Sequence, residues 1–117
     1  MRRLKRLPAP TTILRSGLST FRFYHADSLK LLEQLPPDNI DVIITSPPYN
    51  LGIRYRSYRD TLSETSYLRW TDDWIAASAR VLATYGSLFL NVGTKPTLPW
   101  TAIDVALKAR NHLVLQN

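Results

Sequence analysis

The sequence predicts an α/β fold with a mainly parallel sheet. Short apolar, β-branched runs alternate with stretches of helical periodicity from residue 21 onward, and parallel neighbours need crossover connections of this kind. The 117 residues, 44% apolar and 21% charged, have the size and composition of one globular domain.

The first run, "FRFYH" (21–25), reads as a strand, and "DSLKLLEQL" (27–35) as a short helix with Leu29, Leu32 and Leu35 inward, stopped by Pro36-Pro37. "IDVIIT" (40–45) is a second strand, and its β-branched run predicts burial on both faces. After a polar and aromatic loop, Thr61-Leu62-Ser63-Glu64 has capping-box spacing. A helix is expected from there to about Ala83, with Tyr67, Trp70, Trp74, Val81 and Leu82 as its apolar stripe. "GSLFLNVG" (86–93) is a third strand and "TKPTLPW" (94–100) a loop. Ala102, Ile103, Ala106 and Leu107 suit a helix to about Arg110, and "HLVLQN" opens a fourth strand.

Charge is concentrated at the N-terminus. Arg2, Arg3, Lys5, Arg6, Arg15 and Arg22 are six cations without an acid, equal to the whole net charge of +6; the remaining chain is balanced, nine against nine. Residues 1–20 therefore read as a basic arm, either touching phosphates or solvated. The absence of cysteine removes disulfides, thiolate metal sites and cysteine nucleophiles, and accords with a reducing cytoplasm. No apolar run approaches the roughly 18 residues of a membrane span, so a cytoplasmic location without a membrane partner is expected. His25 and His112 are far apart in sequence and stand in no metal-binding motif, so no metal is expected.

The strand at 40–45 ends on Ser46-Pro47-Pro48-Tyr49. In open α/β sheets the carboxyl ends of the strands line the ligand crevice. Proline offers a carbonyl but no N–H, fixes φ near −65° and holds the preceding residue extended. The stretch is a stiff arm presenting two acceptors, the Ser46 hydroxyl and the Pro47 carbonyl. Two adjacent acceptors suit an amino group. On a nucleobase amine, acceptors off the base plane favour a pyramidal nitrogen whose lone pair is localised for attack. Tyr49 can replace the stacking that a base gives up when drawn out of a duplex.

At these residues the chain resembles the DNA amino-methyltransferases, whose signature is Asp, Asn or Ser followed by Pro-Pro and Tyr, Phe or Trp. "FYHADSLKLLEQLPPDNIDVIITSPPYNLGIRY" resembles the first block of the permuted branch, and "WIAASARVLATYGSLFLNVG" the helix and strand that follow it. The resemblance implies a Rossmann-like methyltransferase sheet and transfer of a methyl group from S-adenosylmethionine to N6 of adenine or N4 of cytosine in double-stranded DNA, as in restriction-modification systems. It assigns Ser46 and the Pro47 carbonyl to the target amine, Pro48 to the turn and Tyr49 to base stacking. Asp27 matches the acidic position near the cofactor's adenine, although it also suits an N-cap. Asn50 would help shape the cofactor pocket. Serine in place of aspartate tilts the reading toward N4 of cytosine, and the lack of cysteine removes the covalent route to C5 methylation.

In "NLGIRYRSYRD", Arg54, Arg56 and Arg59 interleave with Tyr55 and Tyr58, which suits a DNA-facing loop or a solvated loop whose tyrosines pack on the sheet. Asn91, Gly93 and Lys95 end a strand near the crevice without an assigned role. The glycine turn that holds the cofactor in the family has no counterpart among Gly17, Gly52, Gly86 and Gly93. Residues 21–117 are thus expected to be the N-terminal catalytic part of an incomplete sheet of about four strands, inactive alone, with the C-terminal portion of the enzyme as a partner. The competing expectations are a non-catalytic nucleic-acid-binding module and a related RNA or protein amino-methyltransferase.

Overall fold

The computed structural model describes residues 7–56 and 58–117; Arg2, Arg3, Lys5 and Arg6 of the basic arm lie outside the described residues. The chain begins with a hairpin, β1 (Thr12–Ser16) and β2 (Ser19–Phe23), paired antiparallel from Thr12 opposite Phe23 to Ser16 opposite Ser19. Gly17, at φ +57°, supplies the left-handed residue of its two-residue turn. The strand expected at 21–25 is therefore displaced to 19–23 and does not join the parallel sheet. Its partner comes from residues assigned to the arm, where Ser16-Gly17 is the turn signal between two alternating runs. All ten strand residues are exposed.

Asp27 caps α1 (Ser28–Gln34), its Oδ1 accepting from the Lys30 N–H at 3.1 Å. At the other end Arg80 Nη2 donates to the Leu32 and Leu35 carbonyls, at 2.6 and 2.9 Å, satisfying groups that a helix terminus leaves open. A guanidinium from the long helix thus fastens the short one.

The second sheet consists of β3 (Ile40–Thr45) and β4 (Leu82–Leu90), joined in parallel through α2 (Glu64–Val81). Regular pairing runs from Val42 opposite Ser87 to Thr45 opposite Leu90, and the Asn91 N–H continues it to the Thr45 carbonyl at 3.0 Å. The register shifts between Ile40 and Val42. A Cβ on Gly86 would lie 2.9 Å from the Ile40 carbonyl oxygen, so the close approach at this irregularity needs glycine.

The α2 cap is Ser63, whose Oγ accepts from the Ser66 N–H at 3.2 Å; the expected box at Thr61 starts two residues early because Leu62 is bonded into the preceding loop. The core lies along α2 and against α3 (Thr101–Arg110), with Tyr67, Trp74, Ile75, Val81, Leu82 and Val105 buried. Thr101 and Val105 are the buried residues of α3, whereas Ile103 and Leu107 are about half exposed. His112 Nε2 meets Asp72 Oδ1 at 2.9 Å, tying the end of α3 to α2.

Two further expectations fail. Val42, Ile44 and Phe89, on one face of β3 and β4, are 52%, 80% and 58% exposed, because no described element covers that face. Residues 111–117 leave α3 in turns and coil instead of a fourth strand, with Val114 and Leu115 exposed. The described sheet structure is one parallel pair and one antiparallel hairpin.

Candidate active site

Ser46-Pro47-Pro48-Tyr49 leaves the carboxyl end of β3, and the parallel pairing sets the end of β4 beside it. Asn91 is the first residue beyond β4, and its Nδ2 donates to Tyr49 Oη at 2.8 Å and to Ser46 Oγ at 3.3 Å. Ser46 Oγ and Tyr49 Oη are also hydrogen-bonded to each other. Ser46 is exposed and Tyr49 half-buried, so the three polar groups form a cluster open to solvent at the strand ends.

The tyrosine ring lies against Gly93. A Cβ there would stand 2.7 Å from Tyr49 Cδ2 and 3.0 Å from Cε2, so any larger residue would move the ring. From the other side, Tyr67 of α2 donates its hydroxyl to the Pro48 carbonyl at 2.8 Å. Burial pushes the Tyr67 phenol above its ordinary pKa, which keeps that donor protonated. The proline arm is therefore held by its own rings and by a buried phenol.

The loop that follows is organised by two residues. Asp60, buried, accepts at Oδ1 from the Asn50 N–H at 2.9 Å, and at Oδ2 from the N–H groups of Leu51 at 3.0 Å and Ile53 at 2.8 Å. Asn50, buried at φ +60°, exchanges two hydrogen bonds with the Leu62 backbone: Nδ2 donates to the carbonyl at 2.7 Å, and Oδ1 accepts from the N–H at 2.8 Å. Asparagine tolerates this left-handed conformation better than most residues. An isolated bridge between Arg54 and Arg59 closes the loop, and Arg54, Arg56 and Arg59 are all exposed on it. Behind them Tyr58 stacks on Trp70 with 5.2 Å between ring centroids, and burial, followed by the Asp60 charge, pushes its hydroxyl up to about 12.

The structure thus brings Ser46, Pro47, Pro48, Tyr49 and Asn50 together at one end of the sheet and places the three arginines on the loop beside it. Asp27 lies at the start of α1, where its carboxylate serves as the N-cap. Sequence reasoning missed Asn91, Gly93, Tyr67 and Asp60 as parts of this site. Asn91 and Gly93 carried one signal, their position at a strand's carboxyl end. Asp60 and Tyr67 looked like a loop acid and a core aromatic.

This strand-end constellation belongs to a recognisable class. The family model described as DNA methylase matches residues 40–116, and the chain belongs to that family. It is 40% identical over 73 residues to Type II methyltransferase M.ScaI of Streptomyces caespitosus, a match covering 62% of this chain and 23% of that protein. To Type II methyltransferase M.MjaVI of Methanocaldococcus jannaschii it is 37% identical over 90 residues, covering 68% of this chain and 46% of the relative. The fold is similar to that of PvuII DNA methyltransferase (cytosine-N4-specific), with a TM-score of 0.59 at 23% identity over 77% of this chain and 33% of the other. The chain spans between about a quarter and a half of the length of these curated relatives.

Proposed function

We propose that this chain carries the amine-accepting part of a DNA methyltransferase that methylates an exocyclic base amine, N4 of cytosine ahead of N6 of adenine, with S-adenosylmethionine as donor. The observation that carries the reading is the exposed Ser46 hydroxyl at the end of β3, fixed by Asn91 and Tyr49 beside a proline arm that Tyr67 immobilises. The name of the PvuII enzyme and the serine of the motif favour cytosine.

The target amine donates one N–H to Ser46 Oγ and the other to the Pro47 carbonyl. Tyr67 occupies the Pro48 carbonyl and fixes the turn. With both hydrogens drawn off the base plane, the nitrogen lone pair is localised toward the incoming carbon, and this charge arrangement exists before the base arrives. The half-buried Tyr49 ring, backed by Gly93, would stack on an extruded base. Arg54, Arg56 and Arg59 hold phosphates near the extruded nucleotide.

When bound, S-adenosylmethionine would supply an electrophilic methyl group, with its thioether portion as the leaving group and the proton lost by the methylated nitrogen passing to solvent at the exposed Ser46. Asp27 fits a place beside it in part: Oδ1 is engaged by Lys30, and the carboxylate as a whole is exposed. The Asn50 amide is spent on Leu62, so Asn50 contributes to any pocket through the backbone course it imposes. In this reading the catalytic part at 21–117 follows a basic arm at 1–20, a boundary that β2 (Ser19–Phe23) crosses.

The test is nucleoside analysis of DNA methylated by the active enzyme containing this chain. N4-methylcytosine is expected; N6-methyladenine alone would reverse the base preference, and methylation confined to RNA or protein would overturn the reading.

A further inference from the structure

The antiparallel register sorts the β1–β2 hairpin into two faces. Opposite residues share a face and successive ones alternate, so Ile13 with Arg22 and Arg15 with Thr20 lie on one side, and Leu14 with Phe21 and Thr12 with Phe23 on the other. Both arginines therefore stand on one face, as diagonal neighbours about 7–8 Å apart. They are exposed, and neither is ion-paired among the described residues. We propose that this face of the hairpin is a second phosphate-contacting surface for double-stranded DNA, additional to the loop that carries Arg54, Arg56 and Arg59. The inference rests on the functional reading above, in which DNA is the substrate.

The partner is argued from charge. No acid precedes Asp27, and the six cations of residues 1–22 equal the whole net charge of +6, so this stretch complements a polyanion. Each phosphate it neutralises releases counterions whatever the base sequence. Guanidinium groups suit the task because their planar fork matches phosphate oxygens. The opposite face carries no cation, and its Leu14, Phe21 and Phe23 are each about half exposed, which confines the contact to the arginine side. An isolated two-stranded hairpin is marginal in water, but the base of this one is fastened. The Thr11 N–H donates to the Phe23 carbonyl at 2.8 Å, the His25 N–H to Thr11 Oγ1 at 2.9 Å and the Tyr24 hydroxyl to the Pro8 carbonyl at 3.1 Å. The two arginines are thus held at a set spacing on a ribbon instead of trailing on a loose leader.

The experiment follows the anisotropy of a labelled random-sequence duplex bound by the active methylase over a salt series. It compares the wild type with Arg15→Ala/Arg22→Ala, with Arg15→Lys/Arg22→Lys, and with Lys30→Ala/Arg110→Ala, which removes two exposed cations elsewhere. The hairpin alanine pair should weaken binding and lower the slope of log K against log salt by up to about 2, one for each phosphate no longer neutralised. The lysine pair keeps both charges and should hold the wild-type slope, as should the pair changed elsewhere. A wild-type slope in the hairpin alanine pair, in an enzyme that methylates DNA, would overturn this inference alone. Equal flattening by the alanine and lysine pairs would also overturn it, since the hairpin would then act through its structure and not its charge. Equal flattening by Lys30→Ala/Arg110→Ala would do so by showing a net-charge effect without a local contact. A wild type that methylates no DNA would overturn the functional reading and this inference with it.

Discussion

Tyr58 turns its hydroxyl into the space between the arginine loop and Trp70, where the oxygen is buried without a hydrogen-bond partner among the described residues. Burial and the nearby Asp60 charge raise its pKa from 10.0 to about 12. As pH climbs past 10 the unfolded chain loses this proton first, so stability present below pH 10 should drain away until about pH 12. Tyr58→Phe should flatten that alkaline decline, with a residual slope from the similarly raised Tyr67, and should gain about 1 kcal/mol at neutral pH by removing an unsatisfied hydroxyl. Urea titrations at pH 8 and 11 measure both effects; an unchanged difference between the two pH values would refute the assignment. At this scale Ser46, Pro47 and Tyr49 were legible because contiguous residues define the acceptor arm. Asn91, Gly93 and Tyr67 were not, since they reach the arm only through strand pairing and the packing of α2.

Loop 50–62 carries the three arginines proposed to contact DNA. Asp60 and Asn50 hold its backbone from inside, leaving Arg54, Arg56 and Arg59 to solvent. Changing the three arginines together to alanine should weaken DNA binding across sequences and reduce the slope of log K against log salt by up to about 3, one for each phosphate no longer neutralised. Fluorescence anisotropy over a salt series measures this, and an unaltered slope would remove the loop from the interface. The helices were readable from periodicity and caps, with α2 and α3 found within two or three residues of expectation. The hairpin was hidden because its first strand sits in a basic leader, and the buried face of α3 falls on Thr101 and Val105 rather than on the bulkier Ile103 and Leu107.

Across the whole molecule the parallel pair is covered on one face only. The Cα radius of gyration of 15.9 Å exceeds the about 13 Å of a closed domain of this length, consistent with a projecting hairpin and an open sheet face. The α/β class was legible from alternation, but the burial of a β-branched strand depends on layers that a strand's own residues do not specify. Ile44, 80% exposed, makes the point measurable: Ile44→Lys should cost less than about 0.5 kcal/mol in this chain, and a destabilisation above about 2 kcal/mol in urea unfolding would mean the face is covered. Ser46 is the residue on which the proposed chemistry turns. Its most direct test is the single-turnover rate of methyl transfer by Ser46→Ala at saturating DNA and S-adenosylmethionine. The predicted rate is about 10²–10³ below wild type, the size expected for removing one preorganised hydrogen bond to the reacting group, and a rate equal to wild type would contradict the assignment of Ser46 to the target amine.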